Sequence, residues 1–554
     1  MRAPTLGWQL LLAFGLSLLT LVGLIGWLQN VNIITGNGLY KAIQAEPWIA
    51  DFAHARLDYA NYLYFPLYGA LAHLLDLLGI LRGVAFKQFA YLNAFFASLA
   101  IVFVYGFVRR LTGSVQAAIA AALFHFGSGF FLLLGVISED IMPGYFLVLV
   151  SMLLAGLWFA RPTYKQIAIV SAVFTLGWLV EWRLMFPTLP AFGLALMLSD
   201  GDWKTRLRRV AMLIVSVLAS AGIVELCWEG HNGAIGLHDL LWTGKGVTSG
   251  WAGVSWDKAW MMLSGVGNYF LIMGGFVDPL SAKRAMGPLL ISIALQIALF
   301  AACVVLLWPR RDDRRLRATA IVFLGTLGAG QVMNFYAQPQ DPQMQINVMP
   351  WLTIAWALLA AALLARSRRL WPVLALASLA PLLWNVAALS KWRGGDTAAL
   401  GAMAALEKYL PPDRTVFVYW GFEPITTWQF MLWSRTPDWD GITAIGRAPV
   451  ASPKFKWISI DTGAIRHPER SADDDARTIK HDIDQALDLG YRVAISDIWT
   501  WDVKELTGQL GGLSAAGHAP AIHAVLHDNY EATLVLSDPF AGNYYELKRK
   551  SAPK

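Results

Sequence analysis

Cysteine and charge are both scarce in this sequence. Two cysteines occur in 554 residues, and charged residues make up only 15% of the chain. A soluble globular protein normally carries nearer a quarter charged residues. Cys227 and Cys303 each lie inside an apolar segment, so the sequence holds no disulfide framework and no paired-cysteine metal motif. Small disulfide-stabilised folds and zinc-cysteine scaffolds are therefore excluded.

Apolar residues dominate the chain as far as about residue 390. They make up 56% of the sequence, and the mean hydropathy is +0.48. Apolar runs of 18 or more residues recur there, and each is long enough to cross about 30 Å of hydrocarbon. Residues 391–554 contain no such run. The sequence therefore predicts a transmembrane domain over 1–390 and a soluble α/β domain over 391–554.

Basic clusters at the ends of apolar runs predict the orientation in the membrane, because Lys and Arg are enriched in cytoplasmic loops. Five such clusters occur: Arg109-Arg110; Arg161 and Lys165; Lys204, Arg206, Arg208 and Arg209; Arg310, Arg311, Arg314, Arg315 and Arg317; and Arg366, Arg368 and Arg369. With all five and the N-terminus inside, the protein is predicted to be a multi-pass plasma (inner) membrane protein. The first apolar run then serves as an uncleaved signal anchor, and the C-terminal domain is periplasmic or extracellular.

This orientation predicts about eleven transmembrane helices. They run over 8–29, 84–108, 113–137, 142–160, 165–180, 184–199, 209–228, 287–308, 316–335, 347–365 and 370–390. Two further apolar stretches, 62–81 and 259–280, are predicted not to cross the membrane. If either crossed alone, the basic clusters that follow it would lie on the outer side. Pro and Gly in these stretches are typical of interfacial or re-entrant segments that line a cavity. The basic residues lie in short loops and not on a soluble surface, which argues against a nucleic-acid partner.

Carboxylates gather on the predicted outer side. Before residue 391 only Asp200, Asp202, Asp312 and Asp313 fall in predicted cytoplasmic loops. A carboxylate at the outer boundary can act as general base toward a sugar hydroxyl, and nearby cations can hold a departing phosphate. The candidate catalytic residues are Asp51, Asp58, Glu139 and Asp140. The candidate residues for substrate or donor phosphate are Glu181, Arg183, Lys245, Lys283, Arg284 and Asp341.

Several of these residues have structural alternatives. Asp140 could simply cap the following helix through free backbone N–H groups, and Asp58 could be a solvated loop residue. Arg183 could anchor its helix at the membrane interface. His125 lies inside an apolar helix, where a hydrogen-bonded core histidine is more common than a metal ligand.

The chain resembles the polytopic GT-C glycosyltransferases, which use polyprenyl-phosphate sugars on the outer membrane face. The resemblance rests on Asp51 in the first outer loop, Glu139-Asp140 between the third and fourth helices, and the soluble C-terminal domain. It implies an inverting enzyme of the cell envelope that transfers a sugar to a glycan, lipid or protein acceptor. It further implies that Asp51 is the base, with Asp58 as the alternative. No DxD triplet occurs in the first loop, so no metal or other cofactor is predicted, although some members of the family use a divalent metal.

Other functions are compatible with parts of this pattern. A multi-pass transporter or a flippase of lipid-linked saccharides normally shows internal repeats and polar groups at the bilayer midplane. The sequence shows no repeat, and its acidic residues lie near outer helix ends. A non-catalytic assembly or sensor subunit is a third possibility, in which the first-loop carboxylates have no strict role.

The C-terminal domain has the sequence pattern of an α/β fold. Segments 416–420, 456–460 and 493–496 are predicted strands, 473–489 is a predicted amphipathic helix, and 521–547 is a predicted closing hairpin. No Gly-rich phosphate loop, zinc spacing or nucleophile elbow occurs in it. The domain is therefore expected to help dock an acceptor or to serve as a structural lid.

Overall fold

The structure, a computed structural model, consists of two compact units. The boundary between them in the described residues lies between Arg393 and Gly394. The residues described are 5–31, 63–80, 85–181, 186–232, 312–336, 342–420, 424–429, 432–433, 456–460, 470–511 and 516–551, with isolated positions between 258 and 301. We call the described residues up to Arg393 the membrane unit and those from Gly394 onward the α/β unit. Each unit is considered by itself.

The membrane unit is helical. Its α-helices are α1 (Leu6–Leu28), α2 (Tyr64–Leu77), α3 (Ala85–Thr112), α4 (Val115–Phe126), α5 (Gly129–Leu134), α6 (Ile141–Trp158), α7 (Tyr164–Val180), α8 (Thr188–Met197), α9 (Trp203–Asn232), α10 (Arg314–Tyr336), α11 (Val348–Arg366) and α12 (Trp371–Leu389). Within the described residues, 7 helices are long and apolar enough to cross a membrane, and α4, α7 and α8 are shorter apolar helices. The chain is therefore a multi-pass membrane protein.

The predicted transmembrane helices can be compared one by one with these elements. Nine of the eleven are present as single helices, and the one predicted over 113–137 is divided in two. The predicted helix 287–308 falls outside the described residues except for isolated positions. How many of them span the membrane stays a prediction. Helix α2 has 14 residues, about 21 Å at 1.5 Å per residue. That length is shorter than about 30 Å of hydrocarbon, and the expectation that 62–81 does not cross stays a prediction.

The single helix predicted over 113–137 is wrong, because this segment breaks into α4 and α5. The break falls at Gly127 and Ser128, where the Ser128 hydroxyl donates to the backbone oxygen of His125 at 2.9 Å. A Cβ at Gly127 would lie 2.8 Å from the backbone nitrogen of Leu382 on α12. The close approach of α12 therefore requires glycine at the break. Both halves are apolar, so hydrophobic periodicity gives no sign of the interruption.

The α/β unit is built on a five-stranded mixed sheet. Its strands are β1 (Thr415–Tyr419), β2 (Lys456–Ser459), β3 (Arg492–Ile495), β4 (Tyr530–Asp538) and β5 (Gly542–Arg549), in the order β2-β1-β3-β5-β4. β1 pairs in parallel with β2 and β3, and β5 pairs antiparallel with β3 and β4. The helices of the unit are α13 (Gly395–Tyr409), α14 (Pro424–Gln429), α15 (Ala472–Asp488), α16 (Val503–Gly511) and α17 (Ala519–Asn529). The prediction of a C-terminal α/β domain is confirmed.

One element of this domain differs from the prediction. The segment predicted as a hairpin over 521–547 begins with helix α17, and the hairpin itself starts only at Tyr530. Ile522 and Leu526 of α17 are buried in the core of the unit, four residues apart on one helical face. The apolar residues of 521–529 therefore follow the spacing of a helix and not the alternation of a strand.

Helix α15 places a carboxylate on its buried face. Ile479, Asp482, Ile483 and Ala486 follow helical spacing, and Asp482 is only 4% exposed. Burial raises the pKa of Asp482 to about 6, against a smaller opposing effect of His481. The neutral form is therefore favoured in the folded domain. The contribution of neutral Asp482 to the free energy of unfolding is fully present below the unfolded pKa near 4. It is lost as the pH rises through the folded pKa of about 6.

Asp482→Asn is therefore expected to stabilise the α/β unit by about 2 kcal/mol at pH 7 and to have little effect near pH 4. Hydrogen exchange of the α15 amides in the full-length protein at both pH values measures this difference. Asp484→Asn is the matched control on the same helix. Burial raises the pKa of Asp484, but hydrogen bonds from Lys480, Arg549 and Tyr530 outweigh it and leave the pKa low. This control should destabilise the domain at pH 7, and the same sign for both variants would contradict the assignment.

Candidate active site

The acidic turn between α5 and α6 is buried. Ser138 is 0% exposed, and Glu139 and Asp140 are each 3% exposed. Asp140 immediately precedes α6, yet its side chain makes no capping hydrogen bond to the helix. The capping alternative for Asp140 is therefore wrong. A buried carboxylate is costly unless it has a polar or charged environment.

Asn93 fixes the backbone of this turn. Its Nδ2 donates to the backbone oxygens of Ile137 and Glu139, each at 2.6 Å, and its Oδ1 accepts from the Tyr68 hydroxyl. Asn93 itself is fully buried on α3. One amide thus ties the acidic turn to α3 and α2. The backbone nitrogen of Ser138 adds a bond to the oxygen of Val31 at 3.1 Å, just beyond α1.

Helix α2 supplies an aromatic wall beside the turn. The rings of Tyr64 and Tyr68 lie 4.6 Å apart, and Tyr68 meets Phe89 edge-on at 5.0 Å. Tyr64 and Tyr68 are both fully buried, and Tyr64 interacts electrostatically with Asp140 and Glu139. The predicted interfacial segment therefore places its aromatic rings near the acidic turn.

Glu181 is brought to the same region by the packing of α6 on α7. It follows α7 directly and is 7% exposed. A Cβ at Gly144 would lie 2.8 Å from the Cβ of Glu181, and a Cβ at Gly177 would lie 2.9 Å from the backbone oxygen of Gly144. These two glycines let the helix backbones touch, as small residues do in membrane helix pairs. Gly144 is four residues, about 6 Å, beyond Asp140 along α6.

The structure therefore brings together three of the predicted residues, Glu139, Asp140 and Glu181. The backbone nitrogen of Leu63 donates to the oxygen of Leu179 at 3.1 Å, which joins the start of α2 to the end of α7. The other predicted residues lie outside the described ranges: Asp51, Asp58, Arg183, Lys245, Lys283, Arg284 and Asp341. Within those ranges, no set of three or more His, Cys, Asp or Glu side chains is arranged to hold a metal ion.

His125 belongs to the core of the membrane unit. Its Nδ1 lies 2.8 Å from Thr353 Oγ1, and its Nε2 lies 3.0 Å from the Tyr145 hydroxyl. The Thr353 hydroxyl donates to the backbone oxygen of Met349 at 2.9 Å, so it accepts from a protonated Nδ1. Nε2 then accepts from Tyr145. This neutral histidine links α4, α6 and α11, as the structural interpretation of His125 anticipates.

Asn385 is a second buried amide that sequence reasoning missed. Its Oδ1 accepts from the backbone nitrogen of Ile272 at 2.8 Å, and its Nδ2 donates to the oxygens of Gly127 and Phe270 at 2.7 and 3.1 Å. Ile272 lies two residues beyond the helical positions 269 and 270, within the predicted re-entrant segment 259–280. Non-helical backbone at membrane depth must find such partners inside the protein. Asn385 therefore joins α12, the break after α4 and this segment.

Asn93 and Asn385 share a sequence signal that could have identified them. Each is an amide inside an otherwise apolar run. Transfer of an unpaired amide into an apolar environment is costly, so such a residue is expected to bind backbone groups or a ligand. A polar residue inside an apolar run is therefore a signal that identifies both asparagines.

Similarity to solved structures identifies the class of fold. The chain superposes on the oligosaccharyltransferase of Archaeoglobus fulgidus, crystallised with Zn and sulfate, with a TM-score of 0.51 and 14% sequence identity over 96% of this chain and 72% of that one. It is also similar to apo ArnT from Cupriavidus metallidurans, with a TM-score of 0.43 and 16% identity over 98% of each chain. No family model and no curated protein matches the sequence. The first similarity shows that the chain has a GT-C fold.

Proposed function

We propose that this chain is a membrane glycosyltransferase. It transfers a sugar from a polyprenyl-phosphate donor to a hydroxyl of a glycan, lipid or protein acceptor, with inversion at the anomeric carbon. The observation that carries the proposal is the GT-C fold together with Glu139, Asp140 and Glu181, which are buried within one region of it. A fold that hosts glycosyl transfer supports the class of reaction, and the carboxylates supply the required chemistry.

The reaction assigns distinct tasks to these groups. Asp51 takes the proton of the acceptor hydroxyl, with Asp58 as the alternative base. The acceptor oxygen then forms a bond to the anomeric carbon while the bond to the phosphate oxygen breaks. Polyprenyl phosphate leaves with the bonding electrons. Cationic groups bind its charge, and the candidates are Arg183, Lys245, Lys283 and Arg284.

Glu139 and Asp140 have a supporting role in this scheme. Positive charge develops on the sugar ring as its bond to phosphate breaks. Fixed carboxylates in a site of low polarity stabilise such charge more than they would in water. Asn93 holds the turn in place, and Tyr64 and Tyr68 exclude water from its side facing α2. Glu181 and Asp341 are assigned to contacts with sugar hydroxyls.

The assay of this function uses purified protein and a labelled sugar on a polyprenyl-phosphate carrier. Transfer to an acceptor with release of free polyprenyl phosphate supports the proposal, and transfer that persists in EDTA is expected because the scheme contains no metal. Movement of the intact lipid-linked sugar across vesicles without bond cleavage would instead favour the flippase alternative.

We further propose that the site faces the outside of a plasma (inner) membrane. Helix α6 has 18 residues, about 27 Å at 1.5 Å per residue, close to the hydrocarbon thickness. The acidic turn precedes it, and Arg161 follows it. Arg109 and Arg110 likewise end α3, and Arg366 ends α11. Positive charge at these ends supports a cytoplasmic location for them.

Reporter fusions test this orientation. Fusions after Arg110, Arg209, Arg317 and Arg369 are expected to report a cytoplasmic location, and one after Lys391 an external location. The four internal fusions serve as controls for the fifth. A cytoplasmic signal after Lys391 would place the α/β unit inside and contradict an outer-face site.

A further inference from the structure

A second polar centre lies at the opposite end of α6 from the acidic turn. Arg161 Nε donates to Asp200 Oδ2 at 2.8 Å, and Arg314 Nη1 donates to the same oxygen. Arg161 follows α6, Asp200 follows α8, and Arg314 begins α10. Arg209 of α9 donates to the hydroxyl of Ser199 at 2.8 Å and to the backbone oxygen of Asp200. Four helix ends are thereby held together.

A cavity of about 560 Å³ opens beside this cluster. We call it the arginine cavity. Its charged lining residues are Arg161, Arg314, Arg315, Asp312 and Asp313, and its apolar lining includes Leu157 and Trp158. Pockets of a few hundred Å³ accommodate a small organic group and are larger than a single ion requires. The Arg161 and Arg314 side chains are 71% and 48% exposed, so both can be reached from solution. The cavity therefore has the size and the access of a ligand site.

Basic groups outnumber carboxylates around the arginine cavity only when its neighbours are included. Near the cavity lie Arg161, Arg209, Arg314, Arg315 and Arg317, against Asp200, Asp312 and Asp313. Asp200 is shared: a hydrogen bond from Arg161 and the neighbouring charges of Arg314 and Arg317 hold its pKa below the usual value. One carboxylate thus serves several guanidinium groups. Asp313 Oδ1 accepts from the backbone nitrogens of Arg315 and Leu316, at 3.0 and 3.2 Å, and so caps the start of α10. Donor groups of Arg161, Arg314 and Arg315 remain available to an anion.

The apolar part of the lining indicates where that anion comes from. Leu157 and Trp158 form the last turn of α6 and are half-buried. Tryptophan at the end of a membrane helix is typical of the headgroup level. A free phosphate makes no use of such a surface, whereas a lipid places its glycerol and upper chain against it. Basic pockets between membrane helices bind anionic headgroups in this way.

We propose that the arginine cavity binds the phosphate headgroup of an anionic glycerophospholipid. Arg161, Arg314 and Arg315 bind the phosphate oxygens, and Trp158 packs against the glycerol end of the chains. The lipid links the end of α6 to the start of α10 and stabilises the membrane unit from the face opposite the acidic turn. This site does not depend on the proposed sugar transfer.

The test measures the thermal unfolding midpoint of the detergent-purified full-length protein. Short-chain phosphatidylglycerol is titrated against phosphatidylcholine with the same chains and against inorganic phosphate. Phosphatidylglycerol is expected to raise the midpoint in a saturable way, because a ligand that binds only the folded state stabilises it. The other two should not. Arg315→Gln, which leaves the Arg161–Asp200–Arg314 cluster intact, should weaken the apparent affinity roughly fivefold.

Two further variants make the result specific. Arg368→Gln removes the same charge from an exposed position outside the cavity and should bind phosphatidylglycerol like the wild type. Arg315→Lys keeps the charge and should retain most of the affinity, which separates loss of binding from misfolding. Three results would each overturn the proposal: the absence of a saturable shift, an equal shift with inorganic phosphate, or an equal loss in Arg368→Gln and Arg315→Gln.

Discussion

Replacing Asp51 by Asn should lower the rate of sugar transfer by about 10²–10⁴-fold, the usual contribution of a general base. The amide keeps the size of the side chain and most of its hydrogen bonding, but it cannot take the proton of the acceptor hydroxyl. The expected loss is therefore in the catalytic rate, with membrane insertion and thermal stability unchanged. Initial rates of transfer from a labelled polyprenyl-phosphate sugar measure it.

The control variants separate the base from its surroundings. Asp76→Asn makes the same change at an exposed position of α2 and should leave the rate unaffected. Asp140→Asn should cost less than Asp51→Asn, because Asp140 is assigned to charge stabilisation and not to proton transfer. Full activity in Asp51→Asn with loss in Asp58→Asn would move the base by seven residues and keep the mechanism. Full activity in the Asp51, Asp58, Glu139 and Asp140 variants alike would contradict a glycosyltransferase site built on these carboxylates.

Replacing Asn385 by Leu should destabilise the membrane unit by about 2–5 kcal/mol. The leucine leaves three buried backbone groups without their partner, those of Ile272, Phe270 and Gly127. An unsatisfied buried group costs about 1–3 kcal/mol, and bonds inside membrane proteins are somewhat weaker than that range suggests. The thermal midpoint in detergent should fall, and the amide of Ile272 should exchange its hydrogen faster.

Trp384→Phe is the graded control for Asn385. It removes only the bond from Trp384 Nε1 to the Ile272 oxygen, at 3.0 Å, and keeps an aromatic ring in place. Its expected cost is about 1 kcal/mol. If Asn385→Leu were no more harmful than Trp384→Phe, and the exchange of Ile272 were unchanged, the amide would not anchor this segment.

The apolar runs predicted the membrane elements well, because hydrocarbon forces each run to be helical and to close its own hydrogen bonds. The single helix predicted over 113–137 was wrong because hydropathy was its only basis. Hydropathy reports that a segment is apolar but not whether its backbone is continuous, and only Gly127 and Ser128 marked the break between α4 and α5. Strands β1, β2 and β3 were predictable from their short β-branched and aromatic runs. Helix α17 was not, because its 11 residues contain too few periods to separate a helix from a strand.

The candidate site was partly predictable for a related reason. Glu139 and Asp140 stand out in the sequence because a charged pair between two apolar runs is conspicuous. The position of their turn depends on hydrogen bonds of Asn93 and, through it, of Tyr68, which lie about 45 to 70 residues earlier. Glu181 is likewise brought near them by the glycine contact of α6 with α7. Such long-range packing has no local signal in the sequence.

In the proposed function, this membrane protein breaks the bond between a sugar and a lipid phosphate. The measurement that tests it most directly follows both products of the purified wild-type protein with a polyprenyl-phosphate sugar labelled in the sugar. We predict equal amounts of glycosylated acceptor and free polyprenyl phosphate, with the anomeric configuration inverted in the product. An intact donor after prolonged incubation with active, folded protein and a range of hydroxyl acceptors would contradict it.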